Sequence, residues 1–146
     1  MPIVQFPFLR TSPNSVERPM LFIKITNPAS GLCIDTVGII DTGADWCAIP
    51  AFYANILGYA LSDGKSKSVG TGNGITTAYS HISRIDVYHT ERLLKNGDTE
   101  PIYTTSEIEI DFMPNLSMVL LGVNNFLGQF FLGVDYPARL FSVLTR

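Results

Sequence analysis

The feature that most constrains the fold is an apolar strand that ends at an acidic turn, Val37–Ala44 (VGIIDTGA). Its β-branched residues favour an extended and packed strand. Asp41 ends the apolar run, and we expect Gly43 to adopt a backbone conformation that other residues resist. A carboxylate that a buried strand delivers onto a tight turn is held in one position, as acid–base chemistry requires.

The tripeptide Asp-Thr-Gly also has an ordinary structural interpretation. Such sequences form turns in which the aspartate caps its own backbone, so three residues alone are weak evidence for catalysis. The surroundings favour a functional site, because an apolar strand precedes the turn, Ala44 keeps the next position small, and Ala48–Pro50 resumes an apolar segment.

A second segment, Val119–Leu127 (VLLGVNNFL), strengthens this interpretation. The first segment resembles the active-site segment of retropepsin-like, single-lobe aspartic peptidases, in which Asp-Thr-Gly-Ala follows two apolar residues. The second is similar to the apolar-apolar-Gly-x-Asn-x-Leu element that lies beside the catalytic turn in that family. The separation of the two segments is close to that of the family, with one insertion, and the resemblance covers residues 20–144.

Size and composition are consistent with one globular domain, residues 1–146, which is too short for two lobes. Hydrophobic residues make up 46% of the chain and charged residues 16%, so a buried core is expected. The net charge of −3 and the absence of a basic run argue against nucleic acid as a partner. No apolar stretch is long enough for a membrane, and the start is unlike a secretion signal, so a cytoplasmic location is expected.

Cysteine and histidine are too few for a metal centre. Cys33 and Cys47 could form a disulfide in principle, but two buried free thiols in a reducing compartment are the favoured interpretation. With His81 and His89 they are too few and too scattered to form a metal site. Cys47 has no histidine near it in sequence, and no Gly-x-Ser-x-Gly element occurs, so thiol and serine nucleophiles are disfavoured. No metal or cofactor is expected.

Hydrophobic alternation and turn residues predict many short strands. The first 19 residues contain four prolines and are expected to be extended and irregular, and they are a candidate for a subunit interface. Predicted strands and hairpins cover 20–27 with 33–40, 65–89, 102–110, 117–121, and 130–134 with 139–144; short helices cover 51–58 and 124–127; an exposed turn or insertion covers 90–100. The pattern indicates an all-β domain, and the resemblance implies a closed acid-protease-like barrel with one or two short helices and a flap hairpin.

The tip of the 65–89 hairpin is glycine-rich: Gly70, Thr71, Gly72, Asn73 and Gly74. Its Gly-x-Gly-x-Gly spacing differs from that of dinucleotide-binding loops, and no helix pattern follows it to bind a phosphate. A flexible hairpin tip is the simplest interpretation. The resemblance implies a flap that closes over substrate.

The resemblance also implies a mechanism in which Asp41, Thr42 and Gly43 are the catalytic residues. An aspartic peptidase needs two adjacent carboxylates that share one proton. This chain has a single Asp-Thr-Gly, so the second carboxylate must come from another copy across a two-fold axis. The expected partners are therefore a second copy of the chain and a peptide or protein substrate.

Substrate-binding residues follow from the same resemblance: Ala44, Asp45, the five residues of the hairpin tip, Gly122 and Val123. Apolar walls are expected from Ile39, Ile75 and Val123, whereas Trp46 and the phenylalanines Phe126, Phe130 and Phe131 are expected to pack in the core or at an interface. Retroviral members carry an arginine where this chain has Val123, and that arginine pairs with the aspartate equivalent to Asp45. Asp45 is therefore expected to lie solvated in the groove, where it can bind substrate N–H groups, or else to pair with a cation from elsewhere in the chain, such as Arg10 or Arg139.

Two functions from different classes remain open. The first is an aspartic endopeptidase that hydrolyses peptide bonds in extended apolar segments through a water activated by Asp41 and its symmetry mate. The alternative is a non-catalytic dimeric module of the same fold that binds an extended peptide by strand addition. A plain structural barrel leaves the coincidence of the two motifs unexplained.

Overall fold

The computed structural model describes every residue from Met1 to Arg146 and consists mainly of β-strands. The strands are β1 (Ile3–Pro7), β2 (Met20–Thr26), β3 (Cys33–Ile40), β4 (Ala48–Pro50), β5 (Lys65–Thr71), β6 (Gly74–Val87), β7 (Tyr103–Thr104), β8 (Ile108–Met113), β9 (Val119–Leu121), β10 (Phe130–Asp135) and β11 (Leu140–Thr145). Two short α-helices, α1 (Tyr53–Ile56) and α2 (Thr90–Asn96), and two 3-10 helices, Leu61–Asp63 and Leu127–Gln129, lie between them. No helix is long and apolar enough to cross a membrane.

Six strands close into a barrel in the order β2-β3-β9-β4-β8-β6, with β6 pairing back onto β2. The β3–β9 and β4–β8 pairs are parallel, and the others are antiparallel. Along β2 the alternate residues Leu21, Ile23 and Ile25 are fully buried, as the period of two predicts. They belong to one large apolar cluster inside the barrel. The predicted all-β closed barrel with short helices is confirmed.

A second sheet, in the order β1-β11-β10, contains both ends of the chain. The predicted closing hairpin is confirmed as β10 and β11. The N-terminal segment is more regular than expected, because β1 pairs with β11 and its Ile3 and Phe6 side chains are buried. The hydrophobic residues between the prolines thus find a place in the core, so the expectation of an irregular segment was wrong for residues 3–7.

Segment 90–100 also differs from the expected turn or insertion, since it contains helix α2. The His89 side chain accepts a hydrogen bond from the Arg92 N–H at the start of the helix, and Gly97 ends the helix at φ 66°. Most of the helix is exposed. Its two leucines, Leu93 and Leu94, are adjacent, so the segment lacks the three- or four-residue spacing by which an amphipathic helix is recognised in sequence.

Three smaller differences concern element boundaries. The helix expected at 51–58 is the single turn α1, and Gly58 at φ 78° follows it. The strand expected at 102–110 is split into β7 and β8, and the helix expected at 124–127 is a turn followed by the 3-10 helix Leu127–Gln129. Tertiary pairing decides such boundaries, because the local pattern is compatible with either arrangement.

Candidate active site

Asp41 lies directly after β3, at the point where the parallel strand β9 also ends. Its backbone N–H donates to the Leu121 carbonyl at 3.1 Å, and its Oδ1 accepts the Gly43 N–H at 2.9 Å. The side chain is half-buried. The neighbouring strand and the turn therefore hold this carboxylate in one orientation.

The role of Gly43 differs from the one expected. Its φ is not positive, so the special backbone conformation expected for this glycine was wrong. A Cβ at this position would lie 3.3 Å from Asp41 Oδ1. Glycine thus leaves room for the carboxylate that folds back over the turn.

Gly122 brings the second segment into direct backbone contact with the first. A Cβ at this position would lie 2.4 Å from the Trp46 carbonyl carbon and oxygen, and 2.9 Å from the Ala44 carbonyl oxygen. Beside this contact, the Val123 N–H donates to the Ala44 carbonyl at 2.9 Å, and the Asn124 N–H donates to the Asp45 backbone carbonyl at 2.7 Å. Only glycine permits this approach, which locks the two turns together.

Asn125 completes this link and was not assigned a role from the sequence. Its Oδ1 accepts the Cys47 N–H at 3.0 Å, and its Nδ2 donates to the Glu109 carbonyl at 2.8 Å. Cys47 is buried, and burial raises the pKa of its thiol to about 12. A thiol in that environment stays protonated and is a core residue. Cys33 is exposed, so the expectation that both thiols are buried was wrong.

A groove of about 650 Å³ lies between the Asp41 turn and strand β5. Seven of the predicted site residues line it: Asp41, Gly43, Ala44, Asp45, Gly70, Thr71 and Gly72. The structure thus brings the acidic turn and the glycine-rich hairpin to opposite sides of one opening.

The other predicted site residues lie outside the groove lining. Thr42 is exposed, and its hydroxyl has no hydrogen-bond partner in the chain. Asn73 borders a second, smaller cavity at the hairpin tip, and Gly74 is exposed beside it, whereas Gly122 and Val123 support the acidic turn through their backbones.

The apolar wall of the groove differs from the expected set. Ile39, Ile75 and Val123 do not line the groove, and the Ile75 side chain is 82% exposed at the hairpin tip. The apolar lining comes instead from β4, β5, β8, β9 and the turn before β9, through Ala48, Val69, Met113, Leu116 and Leu120. Sequence could not identify these residues because they converge only when the barrel closes.

Asp45 is exposed at the groove and makes no ion pair. The two arginines considered as its partners both bind Glu17, with Arg10 Nη2 at 2.6 Å and Arg139 Nη1 at 3.0 Å. The hydrogen bonds from Arg10 and Arg139 lower the pKa of Glu17. The alternative in which Asp45 pairs with Arg10 or Arg139 was therefore wrong.

A polar cluster at the groove wall was missed in the sequence. Lys67 Nζ lies 2.8 Å from Asp111 Oδ2 and 5.3 Å from the centroid of the Trp46 ring. Ser80 Oγ donates to Asp111 Oδ1 at 2.9 Å. The one available signal was Asp111 itself, an acidic residue inside the apolar run of β8. Trp46 is 44% exposed in the groove, so core packing was wrong for this residue, and packing at a subunit interface stays a prediction.

Among the predicted core aromatics, Phe126 is buried and Phe130 is half-buried, but Phe131 is 50% exposed on β10. The alternation along β10 places Phe131 on the outer face of the sheet.

The glycine-rich turn that joins the two arms of the hairpin is tight and exposed. Thr71 pairs with Gly74 across a two-residue turn, and the Thr71 hydroxyl donates to the Gly74 carbonyl at 3.0 Å. Gly74 has φ 110°, a value that favours glycine. Strand β5 pairs only with β6, so this arm of the hairpin is a free edge beside the groove.

Comparisons with known proteins define the fold. No protein-family model matches the sequence, and no curated protein is similar to it at a significant level. Among solved structures, a retropepsin-like aspartic protease from Rickettsia conorii superposes with a TM-score of 0.56 at 18% sequence identity. The match covers 89% of this chain and 100% of that protein. The chain therefore has the retropepsin-like, acid-protease-like fold.

Proposed function

We propose that the protein is an aspartic endopeptidase that works as a homodimer. The observation that carries the proposal is the position of Asp41, which the end of β3 and the Gly43 N–H fix at the edge of an open groove of about 650 Å³. The wall of this groove is partly apolar, and its other side is the arm of a hairpin. Such a groove suits an extended peptide with apolar side chains.

The second carboxylate is assigned to Asp41 of another copy. The groove lining contains two further carboxylates, but Asp111 is buried in its ion pair and Asp45 lies on the turn beyond Ala44. In the proposed dimer, two Asp41 side chains share one proton; the ionised one activates a water, and the protonated one polarises the scissile carbonyl. The exposed and unpartnered hydroxyl of Thr42 would meet its mate across the same axis.

The decisive experiment compares the cleavage activity of two variants, one at Asp41 in the turn after β3 and one at Asp35 within β3. Wild-type protein is expected to cleave an unfolded apolar protein substrate, and Asp41→Asn is expected to abolish cleavage without unfolding the chain, because an amide cannot share the proton. Asp35→Asn, on the outer part of β3, is the matched control and should retain activity. Cleavage by Asp41→Asn at the wild-type rate would contradict the catalytic assignment.

Dimer formation is tested separately by sedimentation at rising protein concentration, with and without a pepstatin-type inhibitor. We expect a dimer, at least when the inhibitor occupies the groove. A monomer under both conditions at high concentration would exclude the shared site.

Asp45 is proposed to bind substrate backbone N–H groups, since it is exposed in the groove and has no cation beside it. Asp45→Asn should raise KM more than it lowers the unfolding midpoint. Unchanged peptide affinity together with loss of the dimer would instead assign Asp45 to subunit contact.

A further inference from the structure

Lys67 is the one cationic side chain in the groove lining. It lies on β5, the arm of the hairpin that faces the acidic turn. Its Nζ is held 2.8 Å from Asp111 Oδ2 and lies 5.3 Å from the centroid of the Trp46 ring. The ammonium group therefore has a defined place in the groove.

Asp111 serves to position this lysine and is not itself open to a ligand. Only 5% of its side chain is exposed. One carboxylate oxygen accepts the Ser80 hydroxyl and the other lies against Lys67, while its backbone N–H donates to the Cys47 carbonyl. Both oxygens thus have a partner, and with so little of the side chain exposed Asp111 offers a ligand little access.

Lys67, in contrast, retains donors for a ligand. An ammonium group has three N–H donors, and the ion pair with Asp111 accounts for one of them. About a third of the side chain (33%) remains exposed, and it borders the groove. Part of the lysine side chain is therefore accessible from the space that a bound peptide would fill.

We infer that Lys67 is a specificity-determining residue that selects peptides carrying a glutamate side chain. This inference rests on the proposal that the groove holds an extended peptide. The methylene groups of the glutamate would pack on the exposed Trp46 ring, and its carboxylate would accept the free N–H groups of Lys67. Glutamine has the same length but no charge, so its amide oxygen accepts the same hydrogen bond without the attraction between opposite charges.

Charge elsewhere in the groove limits where the glutamate side chain of such a peptide can lie. Asp41 and Asp45 are acidic and sit on the turn, whereas Lys67 sits on the opposite arm. A glutamate side chain is repelled from the turn and attracted to the arm. The preference is therefore confined to the one peptide position that reaches Lys67.

The test uses the single tryptophan of the chain as its probe. Trp46 fluorescence is titrated in the Asp41→Asn background with an extended apolar peptide and its single-residue variants, in which glutamate or glutamine is placed at each position in turn. At one position we expect glutamate to bind about fivefold tighter than glutamine, the scale of a partly exposed charged hydrogen bond. The preference should shrink at about 0.5 M salt because the charges are partly screened.

Lysine variants assign the preference to Lys67. Lys67→Met should abolish it, and Lys67→Arg should preserve it. Lys24→Met is the matched control, since Lys24 pairs with the buried Asp86 outside the groove at nearly the same side-chain exposure, 32% against 33% for Lys67. The control should keep the full preference.

Each outcome decides the inference. Equal binding of the glutamate and glutamine peptides, a preference that survives Lys67→Met, or no binding of any peptide would overturn it. Cleavage by the wild-type protein is measured in parallel. Glutamate-selective binding without cleavage would uphold the role of Lys67 and reject the endopeptidase, and cleavage without selectivity would do the reverse.

Discussion

Replacing Gly122 with alanine tests how the candidate site is held together. The added Cβ would lie 2.4 Å from the carbonyl carbon and oxygen of Trp46 and 2.9 Å from the carbonyl oxygen of Ala44. These are backbone atoms, so no change of side-chain rotamer relieves the clash. Either β9 or the acidic turn must move, and the Val123 hydrogen bond to Ala44 is strained in the process.

We expect this substitution to lower the free energy of unfolding by about 3 kcal/mol, at the upper end for overpacking of a rigid site. For a chain of this size, that loss corresponds to a fall in Tm of roughly 6–12 °C. Thermal unfolding is followed by circular dichroism at one fixed protein concentration, since a dimer would make the Tm depend on concentration.

Gly133→Ala on β10 is the matched control. Its Cβ would meet only Phe131 Cε1 at 3.5 Å, an ordinary van der Waals contact. Its Tm should therefore stay close to that of the wild type. If Gly122→Ala also unfolds at the wild-type temperature, the close approach of the two turns is wrong, and with it the geometry of the site.

Three further predictions concern other parts of the molecule. At pH 8 a thiol reagent should label Cys33 at once and Cys47 only on unfolding, because a Cys47 thiol pKa raised from 9.0 to about 12 leaves about a thousandfold less thiolate. For the same reason, the folded protein should lose stability as the pH rises from 9.0 towards 12. Rapid labelling of both thiols in the folded chain would refute the burial of Cys47. Amide exchange at residues 71–75 should be fast in the free protein and slow with a bound inhibitor, so equal slow exchange in both states would reject a mobile flap. Lys67→Met and Lys24→Met should each lower the free energy of unfolding, measured in urea, by about 1–3 kcal/mol, because each leaves a buried aspartate without its cation. The larger loss is expected for Lys67, whose Nζ lies 2.8 Å from Asp111 Oδ2, than for Lys24, whose Nζ lies 3.6 Å from Asp86 Oδ2. The opposite order would contradict this geometry.

Several features of this fold could be predicted because their causes are local. The alternation in β2 specifies which residues face the core, since successive side chains point to opposite faces. Asp41 was placed correctly at the end of a strand, and the hairpin tip at 70–74 was placed by its glycines. Each of these depends on residues that are neighbours in the chain.

The composition of the groove could not be obtained in the same way. Lys67 and Asp111 are distant in sequence and meet only because β6 pairs with both β5 and β8. The exposure of Trp46 was equally hidden, since the apolar or aromatic character of a residue does not say which side of a closed barrel it faces.

The sequence by itself determined the strand-and-turn unit that carries Asp41, because β-branched residues favour the strand and the aspartate side chain accepts the Gly43 N–H of its own turn. Only the tertiary structure decided what surrounds it. A Cβ at position 43 would crowd the carboxylate that folds back over the turn, and a Cβ at position 122 would clash with a distant backbone. The contact at position 43 is local, whereas the contact at position 122 exists only once parallel pairing of β3 with β9 has brought the two segments together.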